Sequence, residues 1–232
     1  MCLYYLLAGH LLGDFTLQTN TIAYKKNEDL KWILIHSLIV TFSMLIFSLP
    51  FGFKVIFLVF INGITHFSID YLKTKINSST PIISFICFLA DQFCHLLIIY
   101  FIALFSKSNS NLIFGKNIIV FIISFLFILS FSSICIQFLL KILFNLNYKS
   151  FYIQNEKSIG NINRILVFLT FLISYYYSVV YIIILPLTFA SLIIYYKLEL
   201  SKWMTIKYFK VKLFLELFFS TIGFGIFELL KS

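Results

Sequence analysis

Charged residues are scarce in this chain, and their scarcity decides its class. Only 12% of its 232 residues are Asp, Glu, Lys or Arg, whereas about a quarter of residues are charged in an ordinary soluble domain. Hydrophobic residues make up 61% of the chain. The apolar runs between charges reach the length of about 20 residues that crosses the hydrocarbon of a bilayer. We therefore expect a polytopic integral membrane protein whose first partner is the lipid bilayer.

Several common functional motifs are also missing. None of the four cysteines forms a C-x-x-C pair, which argues against a disulfide framework or a zinc knuckle. The chain has no glycine-rich phosphate loop and no aromatic RNA-binding motif, and its net charge of +9 is concentrated between the apolar runs. Such a basic excess is typical of membrane topology, so we expect no nucleic acid partner. The first apolar run lacks the features of a cleaved signal peptide and should remain in the mature protein.

The apolar runs predict an all-α fold, a polytopic transmembrane helical bundle of about seven to eight spans. We place six of the spans at residues 1–18, 32–49, 53–70, 82–105, 116–141 and 211–230. The segment 165–196 contains Pro186, and it is one span, two short spans or a re-entrant pair. A polar connector, 145–164, divides an N-terminal membrane domain, 1–144, from C-terminal membrane helices, 165–232.

The lysines and arginines predict the orientation of the spans. Most of them lie in the loops after the first, third and fifth spans and in the last loop before residue 211. Loops rich in Lys and Arg stay on the cytoplasmic side of a membrane. We therefore predict that the connector 145–164 is cytoplasmic.

Polar residues interrupt the first four spans, and every histidine of the chain is among them. A histidine and an aspartate recur three times at a spacing of four residues, which puts both side chains on one helix face. The pairs are His10 with Asp14, His66 with Asp70, and Asp91 with His95, and the fourth histidine is His36. The order is reversed in the fourth span, which runs opposite to the first and third. The three aspartates can therefore form one layer and their histidines another.

A charged group in hydrocarbon is costly and is normally retained for a function. Imidazole and carboxylate together suit zinc, iron or manganese, and such pairs on neighbouring helices build di-iron and di-manganese bundles. We predict a divalent metal centre with the ligands His10, Asp14, His36, His66, Asp70, Asp91 and His95. One of Asp14, Asp70 and Asp91 would act as the catalytic general base. A proton or cation pathway lined by the same residues, or polar contacts between helices, are the alternatives.

Further polar residues lie close to the pairs. Gln18, Asn62 and Gln92 are predicted to donate hydrogen bonds to the ligands. Lys73, three residues after Asp70, is either a contact for a substrate phosphate or an anchor of the positive-inside kind, and the anchor is the commoner role. In the second half, Glu216 lies within an apolar run, and we expect it to pair with a basic residue such as Lys197 or Lys212.

Three sequence elements resemble those of a known family. They are H-x-x-G-D-F-x-x-Q at 10–18, H-F-x-I-D-x-x-K at 66–73 and D-Q-x-x-H at 91–95. They resemble an uncharacterised bacterial family of integral membrane proteins, the domain of unknown function 3307. Two later elements, 160–164 and 216–221, resemble the same family, with Asn163 and Ser220 where Glu and Gly are expected. The resemblance implies a multi-pass protein of the bacterial inner (cell) membrane and brings no established activity.

These residues favour a membrane-embedded metal-dependent enzyme, a hydrolase of a lipid-linked or other membrane-accessible substrate. A bound metal would lower the pKa of a water molecule in such an enzyme. An ion- or proton-coupled transporter would use the same residues. Inverted repeats would then place a matching polar pair after the connector, and the sequence has none there. A structural or regulatory membrane subunit is the third class, and it would tolerate loss of the histidines.

Overall fold

The structure, a computed structural model, describes residues 1–76, 80–106, 112–145, 156–176 and 205–231, together with Ile193. The described part is helical and contains no β-strand, which confirms the predicted all-α fold. Its helices are α1 (Cys2–Leu11), α2 (Asn20–Lys25), α3 (Leu30–Ser48), α4 (Phe53–Thr74), α5 (Pro81–Leu104), α6 (Lys116–Leu126), α7 (Ser132–Phe144), α8 (Glu156–Tyr176) and α9 (Ile206–Lys231). A π-helical turn, Leu12–Thr16, follows α1, and a second, Phe127–Phe131, joins α6 to α7.

Six helical segments of the described residues are long and apolar enough to cross a membrane, so the chain is a membrane protein. They are Leu30–Phe51, Phe53–Thr74, Pro81–Leu104, Lys116–Phe144, Ser158–Tyr175 and Ile206–Lys231. The predicted first span is shorter than these. Together α1 and its π-helical turn cover about 22 Å, against a hydrocarbon core of about 30 Å. Of the segment 165–196, only the part up to Tyr176 and the single residue Ile193 are described, so its form and the total number of spans stay predictions.

Short polar residues and one glycine fix the helix ends in the first half. Asp29 caps α3, since its Oδ1 accepts a hydrogen bond of 3.0 Å from the N–H of Lys31. Thr80 caps α5, whose first residue is Pro81, a position that proline favours. Gly52, with φ of 84°, separates α4 from the preceding turn, and only glycine adopts this φ without strain. The short turn makes α3 and α4 neighbours in space as well as in sequence.

Glycines on α1 and its π-helical turn allow that segment to approach α3 closely. A Cβ atom on Gly9 would lie 2.9 Å from Met44 Cα, and one on Gly13 would lie 2.7 Å from Val40 Cα. Both distances are shorter than a carbon–carbon contact, so only glycine fits at this spacing of four residues. Small residues four apart are a common device for close packing of membrane helices. The α1 segment therefore touches the backbone of α3.

Four helices of the first half enclose a common interior. Helix α3 packs on both α1 and α4, and α5 also packs on both α1 and α4. Helix α6 also packs on α1. Many large apolar side chains on these helices are exposed, among them Phe42, Phe53 and Ile64, as expected of surfaces that face lipid. Each of the four helices thus has one face toward the interior and another toward the outside.

The chain divides into two compact units, Met1–Leu126 and Phe127–Ser232. In the second unit, α8 and α9 pack on each other and both pack on α7. The predicted three-part division at 145–164 stays a prediction, because residues 146–155 lie outside the described part. Residues 156–164 of the predicted connector are helical and begin α8.

Candidate functional site

The interior of α1, α3, α4 and α5 is polar. It holds all four histidines of the chain and three of its four aspartates, and none of these side chains is more than 6% exposed. Helix α1 and its π-helical turn contribute His10 and Asp14, α3 His36, α4 His66 and Asp70, and α5 Asp91 and His95. We call these seven residues the His/Asp cluster. The structure thus brings together every residue that the sequence predicts as a metal ligand.

The π-helical turn after α1 positions Asp14. In this wider turn the N–H of Leu17 donates to the carbonyl of Leu12, five residues earlier, at 2.9 Å. The Asp14 carboxylate then lies between two other helices. Its Oδ1 is 2.9 Å from His36 Nε2, and its Oδ2 accepts a hydrogen bond of 2.8 Å from Gln92 Nε2. Single π-helical turns inside α-helices occur frequently at functional sites.

The ring nitrogens at the centre of the cluster face one another. His36 Nε2 lies 3.3 Å from His66 Nε2 and 3.4 Å from Asp70 Oδ2. Two sets of three residues could each hold a metal ion, because within each set the three ligand atoms lie within 4.8 Å of one another. Both sets include His66. One set is Asp14, His36 and His66, and the other is His66, Asp70 and His95. His66 is therefore the residue on which the geometry converges.

The imidazole rings also contact one another. His66 and His95 are stacked with ring centroids 4.0 Å apart, and the His10 ring lies 5.5 Å from that of His95. The Nδ1 atoms of all four histidines are buried and have no hydrogen-bond partner among the described residues. A metal-bound histidine usually donates this second N–H to an acceptor. The cluster therefore offers atoms that could ligate a metal, but within the described residues it lacks the acceptors that usually hold the second nitrogen of a metal-bound histidine.

A comparison with protein families adds to this geometry. A family model described as "Protein of unknown function (DUF3307)" matches residues 2–122, which is more than half of the chain. The chain belongs to this family. The resemblance predicted from the sequence elements is thereby confirmed, and the matched residues include the whole His/Asp cluster. No curated protein and no solved structure matches the chain. The elements at 160–164 and 216–221 lie beyond the residues that match the DUF3307 model.

Two lysines lie at the outer edge of the His/Asp cluster. Lys73 Nζ donates a hydrogen bond of 2.8 Å to Asp91 Oδ2, and Lys26 Nζ lies 3.5 Å from Asp70 Oδ2. The lysine side chains are 27% and 15% exposed, whereas these two carboxylates are 5% and 3% exposed. We call Lys26 and Lys73 the lysine pair. In the sequence Lys26 is one of several loop charges, and its spacing of 44 residues from Asp70 follows no pattern that would predict this contact.

The charge of Lys26 is maintained by its carboxylate neighbours. Burial by itself lowers the pKa of the ammonium group, but Asp70, Asp14 and Asp91 outweigh burial, and the pKa of Lys26 is raised above its ordinary value. A raised pKa means that the folded protein holds this proton more tightly than the unfolded chain does. The contact between the Lys26 ammonium group and these carboxylates therefore stabilises the folded protein fully at neutral pH. This stabilisation is lost only as the pH rises through the raised pKa of Lys26.

The three amides predicted to assist the ligands have different partners. Gln92 Nε2 also donates to Asp91 Oδ2 at 3.2 Å, so this one amide joins the Asp14 and Asp91 carboxylates. Gln18, with its amide oriented to suit its neighbours, donates to the Asp14 carbonyl at 2.9 Å and accepts from Lys26 at 3.0 Å. Asn62 is buried but donates to Met44 Sδ at 3.2 Å. The structure thus gives Asn62 a partner outside the His/Asp cluster.

A second buried polar cluster lies within the unit that begins at Phe127. Glu216 Oε2 accepts a hydrogen bond of 2.8 Å from Asn163 Nδ2, and Glu216 Oε1 lies 3.8 Å from Lys212 Nζ and 4.0 Å from Arg164 Nη1. The predicted pairing of Glu216 with Lys212 is confirmed, and Lys197 lies outside the described residues. Arg164 Nε also donates to the Ile128 carbonyl in the second π-helical turn, at 2.6 Å. These contacts link α8, α9 and the turn before α7.

Proposed function

We propose that the His/Asp cluster binds one or two divalent ions of zinc, iron or manganese, and that the protein is a membrane-embedded metal-dependent hydrolase. Its substrate would be lipid-linked or otherwise accessible from the membrane, and its location the bacterial inner membrane. The observation that carries the proposal is the surroundings of His36 Nε2. That nitrogen lies within 3.4 Å of three potential acceptors, which are Asp14 Oδ1, Asp70 Oδ2 and His66 Nε2.

A proton on His36 Nε2 does not satisfy these three neighbours. One N–H can make one good hydrogen bond, and the remaining electron-rich atoms would then face each other in a poorly solvated interior. A divalent cation held by one of the two three-ligand sets would bind several of these atoms together and compensate aspartate charge. Neutral imidazole nitrogens and carboxylate oxygens are also the donor set that zinc, iron and manganese accept. The residues of the cluster therefore fit a metal by the chemistry of their donor atoms.

The two three-ligand sets leave other polar groups available for proton transfer. Neither set includes His10 or Asp91. Asp91 Oδ1 lies 3.3 Å from His95 Nε2, and Asp91 Oδ2 is held by Lys73 and Gln92. A metal would supply an activated water at neutral pH. Asp91 is our candidate for the general base, because its carboxylate borders the ligand sets without belonging to them.

Metal analysis of matched aspartate variants tests the proposal. We expect the wild-type protein, purified in mild detergent and supplied with zinc, iron or manganese, to retain at least one ion per chain after dialysis. Asp70→Asn removes a ligand and a charge while keeping the side-chain shape, and should weaken metal affinity by at least about tenfold. Asp29→Asn changes the remaining aspartate, the exposed cap of α3, and should leave affinity unchanged. Wild-type protein that retains none of the three metals would contradict the proposal.

One observation favours a second candidate, a proton or cation pathway. The lysine pair compensates two of the three aspartates without any metal, so the cluster has an internal source of positive charge. Buried networks of Asp, His and Lys are typical of proton relays in membranes. Proton flux into liposomes that contain the protein, abolished by His66→Ala, would support this candidate. Absence of flux together with retained metal would leave the hydrolase as the better proposal.

A further inference from the structure

The lysine pair lies where two helices of the first unit meet the predicted membrane surface. Lys73 is in the last turn of α4, and Lys26 directly follows α2, four residues before α3 begins. Each ammonium group bonds to an almost fully buried carboxylate, yet each lysine side chain keeps part of its surface exposed. The two lysines therefore form the outermost layer of the His/Asp cluster, and anything that enters the cluster from that edge meets them first.

The lysine pair changes the net charge of the His/Asp cluster. With neutral histidines, three buried carboxylates and two ammonium groups leave one negative charge unbalanced. One divalent ion would reverse this balance and leave one positive charge in excess. Without the lysine pair, the same metal-loaded cluster would still carry a net negative charge and would repel an anion. Lys26 and Lys73 thus turn a metal-loaded cluster into a centre that attracts anions.

We infer that the lysine pair binds a phosphate group of the substrate when metal occupies the His/Asp cluster, an inference that rests on the proposed function. A metal bound by the set that contains Asp70 would take over that carboxylate and free the ammonium group of Lys26. Lys73 keeps donors to spare beyond its one bond to Asp91, so both ammonium groups could donate to phosphate oxygens. Lysine is suited to this exchange, because its flexible stem and three donors allow it to change partners. The ligand class is therefore a phosphate monoester or diester bound next to the metal.

The position of the pair favours a phosphate carried by a lipid headgroup. Large apolar side chains around the pair are exposed, among them Leu17 and Tyr24 near Lys26, and Leu72 beside Lys73. Acyl chains could contact this surface while the phosphate reaches the lysines. A free inorganic phosphate shares the same recognition chemistry but makes no use of the apolar surroundings. The two sources can be separated by experiment.

Two double variants with the same change in charge test the inference. Lys26→Met with Lys73→Met removes both ammonium groups and keeps the length of the side chains. The control, Lys25→Met with Lys75→Met, changes neighbouring lysines that lie over the rings of Trp32 and Tyr71 instead. Each zinc-loaded protein, in neutral detergent, is titrated with inorganic phosphate, with dihexanoyl phosphatidic acid and with dihexanoylglycerol. Calorimetry gives the Kd, and bound zinc is measured in the same samples.

We expect phosphatidic acid to bind to wild-type protein and to the control with the same Kd within about twofold. The Lys26/Lys73 variant should bind it at least about tenfold more weakly, because bonds to a charged donor are lost. That variant should keep its zinc, since Lys26, the cation that competes with zinc for Asp70, is gone and no ligand of either set is changed. Retained zinc shows that the variant is folded and that only phosphate binding has been lost. The variant with Lys26→Arg and Lys73→Arg keeps both positive charges and should bind phosphatidic acid again.

The remaining outcomes distinguish the two proposals. Tighter binding of phosphatidic acid than of inorganic phosphate supports the headgroup, whereas equal binding supports the phosphate group alone as the ligand. Zinc-loaded protein that binds neither phosphate, or binds dihexanoylglycerol equally well, overturns the phosphate site and leaves the metal centre intact. If the protein binds no metal but binds phosphate through the lysine pair, the proposed metal centre is wrong, and so is the proposal that metal releases a lysine from its carboxylate. Protein that binds neither overturns both.

Discussion

Gly13→Ala should destabilise the first unit by about 2 kcal/mol or more, an unusually large effect for the addition of one methyl group. The new Cβ would lie 2.7 Å from Val40 Cα and 3.1 Å from Ser43 Cβ. The first of these atoms belongs to the backbone of α3 and cannot turn aside as a flexible side chain could. The π-helical turn and α3 must therefore move apart. Because Asp14 follows Gly13 directly, its 2.9 Å contact with His36 should lengthen as well.

A matched glycine provides the control for this measurement. Gly225 lies in α9, and a Cβ atom there would have no neighbour within 4 Å. Gly225→Ala should leave the protein unchanged or stabilise it by up to about 1 kcal/mol, since alanine is the better helix former. Thermal unfolding in one detergent, with metal content measured in parallel, compares the two variants. Equal melting temperatures for Gly13→Ala and the wild type would show that α1 and α3 are not packed as described.

The second large effect is expected for His66→Ala. His66 is the one residue shared by the two three-ligand sets, so its loss damages both. We expect bound metal to fall further than in Asp70→Asn, to below about one tenth of the wild-type amount at limiting metal concentration. The stacked partner His95 also loses its ring contact, so some loss of stability should accompany the loss of metal.

Asn62→Leu separates metal binding from packing in the same helix. Asn62 lies one turn before His66, is just as buried, and contacts Met44 rather than the His/Asp cluster. Its replacement by a similarly sized apolar residue should keep the metal and cost little stability, since its Oδ1 has no partner among the described residues. Equal loss of metal in Asn62→Leu and His66→Ala would mean that the metal is held elsewhere or that α4 has lost its structure.

The sequence predicted those parts of the structure that depend on helical periodicity. A spacing of four residues places His66 and Asp70 on one helix face wherever the helix lies, and the same reasoning applies to Asp91 and His95. The membrane helices could be predicted for a similar reason, because the length of an apolar run without charges is a property of one segment of the sequence. Asn62 shows the limit of this reasoning, because periodicity gives the face of a helix but not which of several neighbours a side chain touches.

Features that depend on long-range packing could not be predicted in this way. At the π-helical turn, the Asp14 carboxylate contacts His36 of α3 and Gln92 of α5. No preference of a single residue type predicts such a turn from the sequence. Lys26 is one of several lysines in a polar loop, and only the folded arrangement shows that it, rather than Lys25, reaches Asp70. In the second unit, the Arg164 contact with the Ile128 carbonyl likewise depends on how two distant segments meet.

The central position of α1 means that this helix is synthesised before the helices that bury it. Tyr5, Leu6 and Ala8 are almost completely buried, although α1 leaves the ribosome before the helices that cover it. The helices that surround α1 include α6, which begins more than 100 residues later in the chain. At roughly 5–20 residues per second, α1 waits on the order of 5–20 s for that neighbour. For most of this interval the interior formed with α3, α4 and α5 is also unfinished, so we expect His10 and the following Asp14 to need shelter from lipid until those helices have been synthesised.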